Sequence, residues 1–176
     1  MRFRSLKVAG AYAVEVERLT DERGWFGRLF SADEFAGLGI DTRVHECSLS
    51  FNPRAGTLRG LHLQLAPHEE SKLVLCVSGA IYDVVVDLRP GSSTHRNWDA
   101  VELIAPEPLA VFVPPGVAHG YLTTVDNSTV YYQISTAYEP TSALGARWDD
   151  PAFGISWPSE PVVISARDSS FGNYTG

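Results

Sequence analysis

Cysteine, cations and long apolar runs are all scarce in this 176-residue chain. Two cysteines, Cys47 and Cys76, are too few for a disulfide framework, and their spacing is not that of a metal site. Lysine and arginine number 14 against 21 acids, for a net charge of −7. That balance argues against nucleic acid or an acidic membrane surface as a partner. It leaves an anionic small molecule open, because a site can gather the few cations locally. No apolar stretch approaches the roughly 20 residues of a membrane-spanning helix. The opening "MRFRSLKVAG" lacks the apolar core of about 7–15 residues found in signal peptides, so a cytoplasmic location is expected. There is no internal repeat, no low-complexity segment and no evident linker, and the length suits one domain with a sizeable core.

What is present is short and β-rich. "AYAVEVERLT" alternates with period two, Tyr12, Val14 and Val16 on one face and Glu15 and Glu17 on the other. "SADEFAGLGI" reads as one short helix, with Ser31 as a cap signal, acids at its start and Gly37 and Gly39 behind it. "KLVLCVSGAIYDVVVDLR" reads as two β-branched runs hinged at Ser78-Gly79, a hairpin signal. "DAVELIA", "LAVFVPP" and "VYYQISTAY" follow, each bounded by turn formers. So many short strands at close spacing predict an all-β jelly roll with a few short helices. The tail "SSFGNYTG" is polar and is expected to be loosely ordered.

One strand is chemically odd. "TLRGLHLQ" sets Arg59 and His62 in an apolar run, where each costs free energy unless something pairs with it. The pattern suits a strand that faces a cavity. An ideal strand would put residues 59 and 62 on opposite faces, since they differ by an odd number. A bulge at Gly60 would bring both to one side.

Two stretches resemble the double motif of the cupins, small double-stranded β-helix barrels that often hold a metal. These are "GLHLQLAPHEESKLVLCVSG" and the Pro-x-Gly-x-x-His of "PPGVAHG". A metal cupin has two histidines one residue apart, then a glutamate, then a later histidine. Here Gln64 stands in place of the second histidine, leaving His62, Glu69 or Glu70, and His119. Losing an imidazole weakens a borderline-metal site, and no metal or other cofactor is expected.

A more specific resemblance covers nearly the whole chain. "DERGWFGRLF", "GTLRGLHLQ", "KLV", "YDVVVDLR", "VPPGVAHGYL", "YYQIS", "YEP", "RWDDP", "ISWP" and "ISARD" occur in order. Together they resemble the dTDP-4-dehydrorhamnose 3,5-epimerase family, metal-independent cupins that invert carbons beside the 4-keto group of a nucleotide-linked sugar. The resemblance implies one cupin domain over 1–176, with N-terminal arm strands to about 45, a barrel to about 140 and a C-terminal segment beyond. It also implies a homodimer and a role in deoxysugar synthesis, such as that of rhamnose for lipopolysaccharide.

Residue by residue, the resemblance makes His62 the base that removes the proton next to the ketone. An imidazole titrating at about 6.5 suits that task. Asp168 matches the carboxylate that fixes its tautomer and stabilises the imidazolium, the logic of the serine-protease triad. Lys72 matches the cation beside the sugar's C4 oxygen, and Tyr132 the proton donor on the opposite face. Arg23 and Arg59 match pyrophosphate and substrate contacts, where a guanidinium grips oxygens bidentately. His119 and Arg167 fall at substrate-binding positions, Tyr138 at the aromatic that stacks on the base, and Asp83 at a site-lining acid. Arg28 stands where typical members carry a glutamate, and the substrate-side Gln-x-Asn contact falls on Glu46 to Ser48. A further glutamate after "YEP" is replaced by Ala143 or Leu144.

The expected activity is epimerisation at C3, C5 or both of a nucleotide-diphospho-4-keto-6-deoxy sugar. Three rivals use the same scaffold: a single-centre epimerase or keto-isomerase with another nucleotide preference, a sugar-nucleotide binder without catalysis, and a metal-dependent oxygenase.

Overall fold

The computed structural model describes residues 1–175, and its architecture is two antiparallel sheets wrapped into a barrel. The strands are β1 (Arg2–Ser5), β2 (Tyr12–Glu15), β3 (Leu19–Asp21), β4 (Gly24–Phe26), β5 (Glu46–Asn52), β6 (Thr57–Gln64) and β7 (Lys72–Ser78). They continue as β8 (Ala80–Asp87), β9 (Trp98–Ile104), β10 (Leu109–Val113), β11 (Val117–Thr123), β12 (Ser128–Ile134), β13 (Ala143–Gly145) and β14 (Val163–Ile164). Helices α1 (Ala32–Ala36) and α2 (Ala166–Ser169) are short. The first sheet runs β1-β2-β10-β7-β12-β5 and the second β13-β6-β11-β8-β9, with β14 alongside β6. From β5 to β8, and again from β9 to β12, the chain crosses between sheets at each connection. That winding is the jelly roll of the cupins.

One connection differs from its sequence reading. Ser78-Gly79 joins β7 to β8, but these strands pair with different partners in different sheets, so the junction is a corner and not a hairpin. A tight turn and a corner carry the same glycine signal, and only the pairing of the flanking strands separates them. Gly79 has φ +78°, and a Cβ there would lie 2.4 Å from the Ser128 hydroxyl oxygen. The corner therefore needs glycine for its backbone and for space.

Alternation explains the packing. Val74 and Cys76 of β7, Ile81 and Val85 of β8, Val111 and Val113 of β10, Tyr121 of β11 and Val130 of β12 meet in the barrel interior. The other face of the second sheet is also covered: Leu61, Leu63, Val84, Val86 and Ala118 pack against Ala146, Phe153 and Trp157. A strand buried on both faces reads as a continuous apolar run, which is why "YDVVVDL" lacks alternation. Each fully buried Val or Leu here contributes roughly 1.5–3 kcal/mol. On the first sheet, α1 lays Phe35 over Val14, Leu73 and Phe112. Through residue 175, and contrary to the expectation from its polarity, the C-terminal segment is not loose; residue 176 of that stretch lies outside the described residues. Tyr174 packs on Phe153 with ring centroids 5.5 Å apart and meets His95 Nε2 through its hydroxyl at 3.0 Å. No helix among the described residues is long and apolar enough to cross a membrane.

The decisive irregularity lies in β6. His119 pairs with His62 and Tyr121 pairs with Arg59, so Gly60 and Leu61 together oppose Gly120. This is a β-bulge. Directly opposed residues share a face, and residues 119 and 121 are two apart, so Arg59 and His62 stand on one face despite their odd spacing. Gly60 has φ +135°, and a Cβ on it would sit 2.5 Å from Gly120 Cα and 3.1 Å from the His119 carbonyl oxygen. We expect Gly60→Ala to lower unfolding free energy by about 3 kcal/mol, combining backbone strain with a backbone clash. Gly172→Ala, with open space around it, is expected to change stability by less than about 0.5 kcal/mol. Urea denaturation of the two variants checks this, and equal stabilities would contradict it.

Candidate active site

His62 is the centre of the site. Its Nε2 lies 2.8 Å from Asp168 Oδ1, across 106 residues of sequence. The short parallel pairing of β14 with β6 brings the C-terminal segment beside Thr57 and Leu58. Ser165 then caps helix α2, its hydroxyl accepting from the Asp168 amide at 3.0 Å. The second carboxylate oxygen of Asp168 accepts from the Gly60 amide at 3.2 Å, so the bulge also holds the acid. Burial works against ionisation of Asp168. The His62 hydrogen bond and charge, with the Gly60 and Ser165 bonds, outweigh it and keep the carboxyl below the usual range. An ionised Asp168 only accepts hydrogen bonds, so the imidazole donates Nε2–H to it, and in the neutral imidazole Nδ1 carries the lone pair. The side chain of His62 is 40% exposed while that of Asp168 is 6% exposed. The imidazole faces the opening and its partner is sealed behind it.

His62 shares a pocket with Lys72, Glu46, Glu70, Tyr138 and Arg167. Lys72 follows the inward parity of Val74 and Cys76; its ammonium contacts Glu70 Oε1 at 2.7 Å and donates to the His62 carbonyl oxygen at 3.4 Å. Gln64 is a structural tie: it donates to the His68 and Ala137 carbonyls and accepts from the Glu139 amide. Those bonds flank Tyr138, which is 58% exposed and receives a 3.4 Å hydrogen bond from Arg167 Nη1. Glu46 accepts from the Tyr138 amide at 3.4 Å.

Deeper in the barrel stands a second histidine–aspartate pair. His119 Nε2 lies 2.7 Å from Asp83 Oδ2, and both side chains are nearly inaccessible. Burial raises the Asp83 pKa, opposed by His119 and the Lys72 charge. The His119 ring sits edge-on to Tyr132, 6.2 Å between centroids. Tyr132 projects from β12 of the opposite sheet into the interior cluster, whereas Tyr131 points outward to Cys47 Sγ at 3.3 Å. Burial first, then Tyr121 and Asp83, raise the Tyr132 phenol well above its ordinary value, with Arg59 opposing. Tyr132 is therefore a protonated donor at any physiological pH. Arg59 donates through Nε to Asn52 Oδ1 at 2.8 Å, and Asn52 and Ser50 bond the Tyr121 hydroxyl.

Of the residues expected from the sequence, Ser48 lies on β5 opposite Tyr132 and is exposed. Arg23 and Arg28 are not part of this cluster within the chain. They belong to the β3–β4 ribbon and its exit, which pairs with neither large sheet. Arg23 is ion-paired with its own neighbour Asp21, and Arg28 lines a separate crevice with Met1, Glu17 and Glu34. Two residues near His62 were missed in sequence. Phe171 packs edge-on to its ring at 6.2 Å, and Gly145 leaves room for it, since a Cβ there would meet the Phe171 ring at 2.0 Å. Glu70 was weighed only as a metal ligand. In the structure the candidate donors are engaged otherwise: His62 with Asp168, His119 with Asp83 and Glu70 with Lys72. Among the described residues no cluster of three or more His, Cys, Asp or Glu is arranged to hold a metal.

The family model for dTDP-4-dehydrorhamnose 3,5-epimerase matches residues 5–175. The chain belongs to the dTDP-4-dehydrorhamnose 3,5-epimerase family. It is 37% identical over 171 residues to the dTDP-4-dehydrorhamnose 3,5-epimerase of Sinorhizobium fredii, covering 97% of this chain and 88% of that one. The crystal structure of the dTDP-4-dehydrorhamnose 3,5-epimerase of Elizabethkingia anophelis superposes with a TM-score of 0.95 at 29% identity, covering 99% and 96% of the two chains. A 3′-monoepimerase from Streptomyces bikiniensis, solved in complex with dTDP-quinovose, superposes with a TM-score of 0.88 at 33% identity over 96% and 85%. Membership in this family places the protein among the isomerases, as a sugar epimerase.

Proposed function

We propose that this enzyme inverts C3, C5 or both of a dTDP-linked 4-keto-6-deoxy sugar by base and acid groups on opposite walls of the barrel. The observation that carries the reading is the His62–Asp168 pair, half open to a pocket that also holds Lys72. His62 Nδ1 takes the proton from the carbon next to the ketone, and the C–H electron pair moves into the enolate. Lys72 stabilises the charge gathering on the C4 oxygen. Tyr132, from the facing sheet, returns a proton to the other side of the carbon. The imidazolium and the phenolate then exchange protons with solvent, so the reaction is proton-neutral. Arg59 takes the pyrophosphate, with Tyr138 on the base and Arg167, His119, Glu46 and Ser48 around the ligand. The nucleotide-sugar complex of the Streptomyces relative supports this substrate class. That relative's activity at one centre, together with Arg28 in place of a glutamate, gives a specific reason to test C3 and C5 separately.

The experiment is incubation with dTDP-4-keto-6-deoxyglucose in heavy water, followed by NMR of the sugar. Deuterium is expected next to the ketone, at both carbons for a 3,5-epimerase and at one for a monoepimerase. His62→Ala should slow exchange by about 10²–10⁴-fold. Tyr132→Phe should keep exchange at the base face while losing inversion. No exchange across a panel of nucleotide-linked 4-keto sugars would leave a binder and end the epimerase reading.

We also infer a homodimer, formed through β5. This strand is an unpaired edge of the first sheet, and Leu49 and Phe51 on its outward face are 69% and 58% exposed. The nearby outward side of Tyr131 and Val77 extends the apolar surface. Open edges and exposed apolar patches mark association sites. Sedimentation velocity should give a dimer for the wild type and a monomer for the Leu49→Asp, Phe51→Asp variant. A monomeric wild type would contradict the inference.

A further inference from the structure

Glu70 is a buried acid at the edge of the reaction pocket with only half of its carboxylate in use. The residue is 9% exposed and lines the same pocket as His62 and Lys72. Its Oε1 holds the Lys72 ammonium at 2.7 Å, while its Oε2 is buried with no hydrogen-bond partner among the described residues. The segment is not free to drift. The Ser71 amide donates to Ser135 Oγ at 2.9 Å, and the Ser71 carbonyl accepts from the Ser135 amide at 3.1 Å. A buried acceptor left without a donor is costly, and native interiors avoid it. The unpartnered oxygen at the edge of this pocket is therefore best explained by a donor that arrives with the ligand.

The chemistry narrows that donor. Lys72 already balances the carboxylate charge, so a neutral hydroxyl fits better than a second cation, and a phosphate oxygen would be repelled. A ketone oxygen has no proton to give and belongs to Lys72. We propose that Glu70 and Lys72 together read an α-hydroxy ketone: the ammonium takes the ketone oxygen and Glu70 Oε2 accepts from the hydroxyl on the adjacent carbon. This rests on the epimerase reading above. In a 4-keto-6-deoxy sugar the carbons flanking the ketone are C3, which bears a hydroxyl, and C5, which bears a methyl group and the ring oxygen. The hydroxyl is thus that of C3, and Glu70 fixes which way round the sugar lies over His62. It is a specificity and positioning residue for the reaction, separate from the groups that move protons.

The test is a substrate–variant cycle. Deuterium incorporation next to the ketone is measured for wild type, Glu70→Gln and Glu70→Ala, using dTDP-4-keto-6-deoxyglucose and its 3-deoxy analogue. Glu70→Gln keeps the shape and an oxygen for Lys72 but lacks the charged acceptor. Wild type should favour the hydroxylated sugar by roughly 10- to 100-fold in kcat/KM, as a hydrogen bond to a charged group allows. Glu70→Gln should lose most of that preference by slowing on the hydroxylated sugar and staying within about threefold of wild type on the 3-deoxy sugar. Equal losses on both sugars in Glu70→Gln, with normal wild-type exchange, would overturn the assignment and leave Glu70 as a support for Lys72 alone. Should Glu70→Ala fail to fold, Glu70→Gln decides. Wild type that exchanges with neither sugar would overturn the epimerase reading, and this assignment with it.

Discussion

A regular strand cannot turn two polar side chains three residues apart toward one cavity, and the site depends on breaking that rule once. The bulge at Gly60-Leu61 rotates the strand by one residue, so Arg59 before it and His62 after it share the barrel face. The same irregularity aims the Gly60 amide at Asp168, which ties the partner of His62 to the strand that carries His62. Gly120 opposite leaves no space for a side chain at position 60. Arg59, His62 and Asp168 are thereby coupled through a few backbone atoms on two adjacent strands.

The rest of the barrel grades the environment of the charged groups. Two histidine–aspartate pairs sit on the same sheet face, yet they differ in access. His62 opens to the pocket, while His119 and Asp83 are sealed below. Burial raises the Asp83 pKa, whereas at Asp168 burial is outweighed by the His62, Gly60 and Ser165 bonds, which lower the pKa, so two similar pairs have different electrostatics. Tyr132 completes the arrangement from the other sheet, where burial keeps its proton in place. Sheet closure sets Tyr132 and His62 on opposite walls of the barrel, the separation that the proposed inversion at carbon requires.

Much of this was legible in the sequence where local chemistry sets local structure. Polar residues in an apolar strand betrayed the cavity, and the odd spacing of Arg59 and His62 demanded a bulge at the one glycine between them. Lys72 was legible only through the family resemblance; the structure puts it in the pocket with His62, on the inward parity of Val74 and Cys76. Between Tyr131 and Tyr132 alternation separates the two but cannot say which points inward. That depends on the register of β12 against β5 and β7. The Gly79 corner was misread because a turn signal does not report which sheet the next strand joins. The tail was misjudged because its polar residues hide Phe171 and Tyr174, whose partners lie far away in sequence. Glu70 was illegible for a related reason: its meaning lies in the oxygen left over after Lys72 is paired, a feature of three-dimensional satisfaction and not of spacing. Arg23 matched a family position and Arg28 departed from one, and the ribbon that carries them pairs with neither large sheet.

In the proposed reaction the bulge places phosphate recognition and proton abstraction on one wall. A crystal structure of the enzyme with a bound dTDP-linked sugar tests this most directly. The pyrophosphate is expected within hydrogen-bond distance of the Arg59 guanidinium, with His62 Nδ1 facing a carbon next to C4 and Tyr132 on the other side of the sugar ring. A pyrophosphate held away from Arg59, or a sugar whose carbons beside the ketone turn away from His62, would contradict it.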